Sequence, residues 1–115
     1  MLFGSYVRKA REALYEQDRA FSIRKLADRL GVHFTYLARV EREETVPTEE
    51  FILNLAKELR EDPDLLLAMV GKVSTELQAV ILRHPKAFAG LLRQLKEAPA
   101  EEVVRVTQAV RDGDW

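Results

Sequence analysis

The sequence predicts an all-α fold. Two observations carry that expectation. Apolar residues recur at three- and four-residue spacing through most of the chain, the mark of one buried face on a helix. Capping residues stand just ahead of these stretches, and glycine or proline closes them. At 115 residues, 47% of them hydrophobic, the chain suits one domain, or a small domain with an oligomerising extension.

The first helix is expected from Leu2 to about Tyr15, with Phe3, Tyr6, Val7, Ala10 and Leu14 on one stripe and Arg8, Lys9 and Arg11 on a basic flank. A second spans about Ser22 to Leu30. Its Ile23, Leu26, Ala27 and Leu30 share a face, Ser22 can accept an orphan backbone N–H at its start, and Gly31 follows its end. A third is expected from Phe34 to Glu43. Leu37 and Val40 point one way, and Thr35, Ala38, Arg39 and Arg42 point the other. Thr48 caps a fourth, with Glu49 and Glu50 in its electropositive first turn and Phe51, Ile52, Leu55, Ala56 and Leu59 on its core face. Asp62-Pro63 opens a fifth, which carries Leu65, Leu66, Leu67, Met69 and Val70 and stops at Gly71.

Beyond Gly71 a second module of three short helices is expected. Ser74 caps the first, His84-Pro85 and Ala98-Pro99 divide them, and the last ends in Arg-Asp-Gly-Asp-Trp. The boundaries are drawn at 1–71 and 72–115. Stripes of Leu77/Val80/Ile81, Phe88/Leu91/Leu92/Leu95 and Val103/Val106/Val110 exceed what about 45 residues need for mutual packing. The expected dimer interface is therefore Leu77, Ile81, Phe88, Leu91, Leu92, Leu95, Val103, Val106 and Val110, with capping of the first module's core as the other role open to these helices.

The stretch SIRKLADRLGVHFTYLARVER, continuing into V-P-T-x-E-x-x-x-x-L-A, resembles the phage-repressor-like helix-turn-helix family of bacterial transcription factors. The likeness covers roughly Leu2 to Gly71, with apolar, glycine and polar positions matching in register. It implies a five-helix repressor-like domain followed by a short helical extension, with the third helix entering a DNA major groove. It also implies that Arg11 pairs with Glu41 at the inner edge of the domain. Two departures stand out. Family members place a glycine turn soon after the first helix, where this chain has LYEQDRAF; a longer first helix, or a loop around Gln17–Ala20, is expected there. Family members often end the third helix on glycine, where this chain has Glu43 and Glu44.

Composition narrows the function. With no cysteine, disulfides and thiolate metal sites are excluded. No run of about 18 apolar residues exists to span a membrane, and the N-terminal MLFGSYVRKAREA lacks the apolar core of a signal peptide, so a cytoplasmic protein is expected. Two histidines in different modules, without metal-ligand spacing, nucleophile elbow or glycine-rich phosphate loop, argue against an enzyme, a metal site or a cofactor. The net charge of −1 is not that of a strongly basic DNA binder, but it is unevenly spread. Residues 1–42 carry nine Lys and Arg against five Asp and Glu, residues 43–70 two against eight, and residues 71–115 seven against six. The positive segment contains the helix pair.

Base reading needs side chains that reach base edges within a frame of phosphate contacts. Arg39 is the first candidate, because a guanidinium can bridge O6 and N7 of guanine. Thr35 can meet a thymine methyl or donate a hydrogen bond. His33 and Phe34 sit where the family enters the groove. Tyr36, Ser22, Arg24 and Arg42 are candidate phosphate contacts. The expected partners are double-stranded DNA and a second copy of the chain, in a homodimeric repressor on a palindromic operator. The rival is a protein-interaction module, such as an antitoxin or adaptor whose acidic middle segment repels DNA. A toxin, or a metallopeptidase that cuts the C-terminal region, is the protein partner such readings admit.

Overall fold

The structure, a computed structural model, describes residues 2–111. Those residues form eight α-helices and one 3₁₀ turn: α1 (Phe3–Gln17), the turn (Arg19–Phe21), α2 (Ile23–Leu30), α3 (Phe34–Glu41), α4 (Glu49–Leu59), α5 (Pro63–Met69), α6 (Thr75–Arg83), α7 (Pro85–Glu97) and α8 (Ala100–Arg111). The fold is all-α, a five-helix domain followed by a helical extension. The chain divides into two compact units, residues 1–74 and 75–115.

In the first unit the starts of α2, α4 and α5 each have a local cause. Ser22 Oγ accepts from the Lys25 N–H at 3.2 Å, Thr48 Oγ1 from the Phe51 N–H at 3.2 Å, and Asp62 from the Asp64 N–H at 2.9 Å, with Pro63 supplying a first helical residue that has no N–H to satisfy. Helix α1 runs two residues beyond Tyr15. Asp18 then stops it and caps the 3₁₀ turn by accepting from the Ala20 N–H at 2.9 Å. The LYEQDRAF segment thus lengthens the helix and also forms a connection. That connection sets Phe21 into the core, and Arg29 ties it down by donating to the Ala20 carbonyl and pairing with Glu58 of α4 at 3.1 Å.

Phe3 and Val7 of α1, Phe21, Leu26 and Ala27 of α2, Leu37 and Val40 of α3, Ile52, Leu55, Ala56 and Leu59 of α4, and Leu66 and Leu67 of α5 form one buried core. Burial of each large aliphatic side chain contributes about 1.5–3 kcal/mol. Tyr6, Ala10, Leu14 and Phe51 pack at its margin. Leu65 lies outside it, 42% exposed, because Leu66 and Leu67 take the inward positions of the short α5. Tyr6 Oη donates to Glu61 at 2.8 Å, joining α1 to the turn after α4, and this bond to a carboxylate raises the phenol's pKa above its ordinary value.

In the second unit neither α6 nor α7 has a buried residue. Pro85 opens α7 as its first helical residue, and Leu91 and Leu92 are both exposed. The side chains of Val106 and Val110, named above with the expected dimer interface, lie outside the described residues, as does the terminal Asp-Gly-Asp-Trp.

Candidate nucleic-acid interface

Helices α2 and α3 and the turn between them build the site. Helix α2 ends on Gly31 in the left-handed region (φ 73°), and the N–H of Val32 returns to the Ala27 carbonyl at 3.0 Å. A Cβ at position 31 would meet nothing within 4 Å, so glycine is required there by the backbone angle rather than by space. The chain turns within Val32 and His33 and re-enters a helix at Phe34. Leu37 and Val40 bury the inner side of α3 completely.

Glu41, at the end of α3, is buried and held in a fork by Arg11 of α1. Nε donates at 2.7 Å and Nη2 at 3.1 Å, while Nη1 reaches the Phe21 carbonyl at 3.3 Å. Helix α1 and the 3₁₀ turn are thereby fixed to the base of α3. Loss of one partner from such a pair leaves an uncompensated buried charge.

The exit from α3 explains how the chain does without the usual glycine. Glu43 adopts φ 67°, its N–H bonds to the Val40 carbonyl, and the Glu44 N–H bonds to the Arg39 carbonyl at 2.9 Å. A non-glycine residue in this region is strained. The Glu43 carboxylate offsets that strain by accepting from the Ser5 N–H at 2.9 Å, where the first turn of α1 has an orphan donor. The approach is close. A Cβ on Gly4 would lie 2.4 Å from the Val40 carbonyl oxygen, 2.7 Å from that of Glu41 and 2.7 Å from Glu43 Oε1. Gly4 and Glu43 therefore seat the end of α3 on the start of α1. Sequence reasoning singled out neither pairing, although a glycine inside an otherwise helical stripe is the available signal of a close approach.

The outward side of α3 carries Thr35, Arg39 and, just past its end, Arg42, all exposed, with Ala38 between them. Among the described residues Arg39 forms no ion pair, whereas Arg42 Nε is held by Glu44 at 2.6 Å. Arg24, at the start of α2, lays its guanidinium 3.7 Å over the Phe34 ring, and the His33 ring lies tilted with its centroid 4.5 Å from that of the same ring. Phe34 is half-buried, packed in part against the core, and so is Tyr36, which meets Phe51 of α4 edge to face at 5.4 Å. Ser22 spends its hydroxyl on the α2 cap. His33 caps α3 through its imidazole, Nδ1 accepting from the Thr35 N–H at 3.2 Å, and Thr35 Oγ1 lies 2.7 Å from the same nitrogen. Arg24, His33, Phe34 and Thr35 thus form one cluster at the start of α3, and Arg39 stands a turn further along the same helix.

The described residues contain no group of three or more His, Asp or Glu placed to hold a metal ion, and no helix among them is long and apolar enough to cross a membrane.

Comparison with known proteins places this geometry in a family. The model of the Helix-turn-helix family matches residues 7–66, just over half of the chain, from the middle of α1 into α5. Two uncharacterized HTH-type transcriptional regulators of Mycobacterium tuberculosis, from strain CDC 1551 / Oshkosh and strain ATCC 25618 / H37Rv, are each 35% identical to this chain over 68 residues. The match takes in 59% of this chain but 45% of each relative, so it spans about half of their length. No solved structure matches the chain. The chain belongs to the helix-turn-helix family.

Proposed function

We propose that this chain is a sequence-specific DNA-binding transcriptional regulator, a homodimeric repressor that places α3 in the major groove of a palindromic operator. The observation that carries the reading is the outward face of α3. Exposed Thr35 and Arg39, the latter in no ion pair among the described residues, are presented from a helix whose inner side is fully buried and whose end is clamped by Arg11. Base readout needs such side chains on a backbone that does not yield, because a hydrogen bond misplaced by an ångström loses its discrimination. In this reading Arg39 bridges guanine O6 and N7, His33, Phe34 and Thr35 enter the groove, and Ser22, Arg24, Tyr36 and Arg42 meet phosphates.

The acidic residues nearest α3 do not oppose that assignment. Glu43 is turned onto Ser5 and Glu44 onto Arg42, so neither carboxylate stands unengaged at the groove-facing surface. The names of the mycobacterial relatives agree with a regulatory role, and a metal-free, non-catalytic protein working in the cytoplasm is consistent with it.

The second copy is assigned to residues 72–115. Leu91 and Leu92 on α7 are 45% and 51% exposed, Val80 and Leu82 on α6 41% and 80%, and apolar surface of that kind seeks cover. A two-fold axis through this module sets two α3 helices at one DNA turn, about 34 Å, or a multiple of it.

Selection of bound sites from random duplex DNA, followed by titration at several salt concentrations, tests the reading. A preferred inverted repeat is expected, with affinity falling linearly on a log–log salt plot as phosphate contacts release counterions. Failure to enrich any sequence, with no salt-dependent binding, would contradict it and favour a protein partner instead.

A further inference from the structure

Asp18, Ser22, Thr48 and Asp62 cap their helical segments with a carboxylate or hydroxyl oxygen, but α3 is capped by an imidazole. The consequence is chemical. The backbone N–H of Thr35 points at His33 Nδ1 over 3.2 Å, and an amide N–H can only donate. Nδ1 is therefore bare, and the ring carries its proton on Nε2. Thr35 Oγ1 lies 2.7 Å from that same bare nitrogen, so the hydroxyl is the donor of this bond. A hydroxyl has one proton and two lone pairs. With the proton held by His33, Thr35 turns only lone pairs outward.

We propose that His33 is a positioning residue that sets what Thr35 reads: an exocyclic amino group, N6 of adenine or N4 of cytosine, rather than the keto oxygen of thymine or guanine. This rests on the reading of α3 as the groove-entering helix. The hollow around the ring is lined by Arg24 and Asp28 of α2, Gly31 and Val32 of the turn, and Phe34. Arg24 and Asp28 are the charged groups facing it there, and they are of opposite sign.

The test uses the full chain and an operator obtained by selection. Comparing the wild type with Thr35→Val, which keeps the shape and removes the hydroxyl, locates the base pair that Thr35 reads. At that pair the amino group is then deleted, by purine in place of adenine or 2-pyrimidinone in place of cytosine. At pH 7.5 the deletion is expected to weaken wild-type binding about fivefold, the worth of one hydrogen bond, and to leave Thr35→Val unaffected. Deleting the keto oxygen of the paired base is expected to change neither. At the same pH the amino dependence is expected to vanish in His33→Ala, where nothing holds the Thr35 hydroxyl proton, and to persist in His33→Asn, whose side-chain oxygen accepts both protons. A keto dependence in the wild type, no base pair sensitive to Thr35→Val, or an amino dependence that persists in His33→Ala overturns the proposal while the DNA-binding reading stands. A selection that enriches no sequence overturns that reading itself, and this proposal with it.

Discussion

The two units of the chain spend their apolar residues differently. In the first, leucines, isoleucine and valine from all five helices are withdrawn from water into one core, and its key charges meet at short range. In the second, α6 and α7 contain no buried residue, although their sequences are as amphipathic as those of the first. Amphipathic spacing therefore reports that a face will be covered, but not by what. A unit of five helices can cover its own faces. Three short helices have too little volume to do so, and Leu91 and Leu92 of α7 are left exposed.

This contrast can be broken in graded steps. The largest effect is expected at the clamp. Arg11→Ala leaves Glu41 buried without a partner and should lower the stability of the first unit by about 3–5 kcal/mol, read from the denaturation midpoint. Were the loss under 1 kcal/mol, the clamp would not be what holds α3. Next is Gly4→Ala. The new Cβ meets backbone carbonyls, which cannot turn aside as a flexible side chain would. A loss of about 1–3 kcal/mol is expected, by the same measurement, although alanine is the better helix former elsewhere. Glu43→Gly sets two small effects against each other. Glycine relieves the positive φ, worth about 1 kcal/mol, while the cap on Ser5 is lost, worth about as much. Net stability should change by less than about 1 kcal/mol; a larger loss would mean that the carboxylate does more than satisfy one N–H. The smallest effect on the first unit is expected from Leu91→Ser with Leu92→Ser. Hydrogen exchange at the Leu37 and Ile52 amides should shift by less than about 0.5 kcal/mol, since exposed residues seldom contribute more. Sedimentation should nevertheless report a monomer, where a dimer is expected of the unaltered chain. A double variant that still sediments as a dimer would remove α7 from the interface.

Much of the first unit is legible in its residues, because the signals there are local. Ser22, Thr48, Asp62-Pro63 and Gly31 act within a turn or two of where they stand, and they fix the helix starts and the tight turn. What is not legible depends on distant partners. Helix α3 stops at Glu41, two residues before the expected Glu43, because Glu43 takes a left-handed conformation that only the facing start of α1 makes tolerable. Nothing near Glu43 in the sequence announces Ser5. The candidate interface divides in the same way. The outward set of Thr35, Arg39 and Arg42 follows from helical periodicity alone. The stacking of Arg24 on Phe34, the engagement of Arg42 by Glu44 and the use of His33 as a cap require the turn geometry. Thr35, expected to meet a thymine methyl or to donate a hydrogen bond, has its hydroxyl oxygen 2.7 Å from the imidazole of the histidine two residues before it, which composition and spacing do not reveal.

The account turns on α3 reading bases, and Arg39→Ala measures that directly. The side chain is exposed and makes no ion pair among the described residues, so its removal should leave the fold and its unfolding midpoint unchanged. Binding should be measured, at one fixed salt concentration, to the selected operator and to a duplex of scrambled sequence. The operator is expected to lose about 1–3 kcal/mol and its preference at one base pair in each half-site, while the scrambled duplex loses far less. Equal affinity and an unchanged preferred sequence in the variant would contradict the account, since the one uncommitted guanidinium on the outward side of α3 among the described residues would then contribute nothing to recognition.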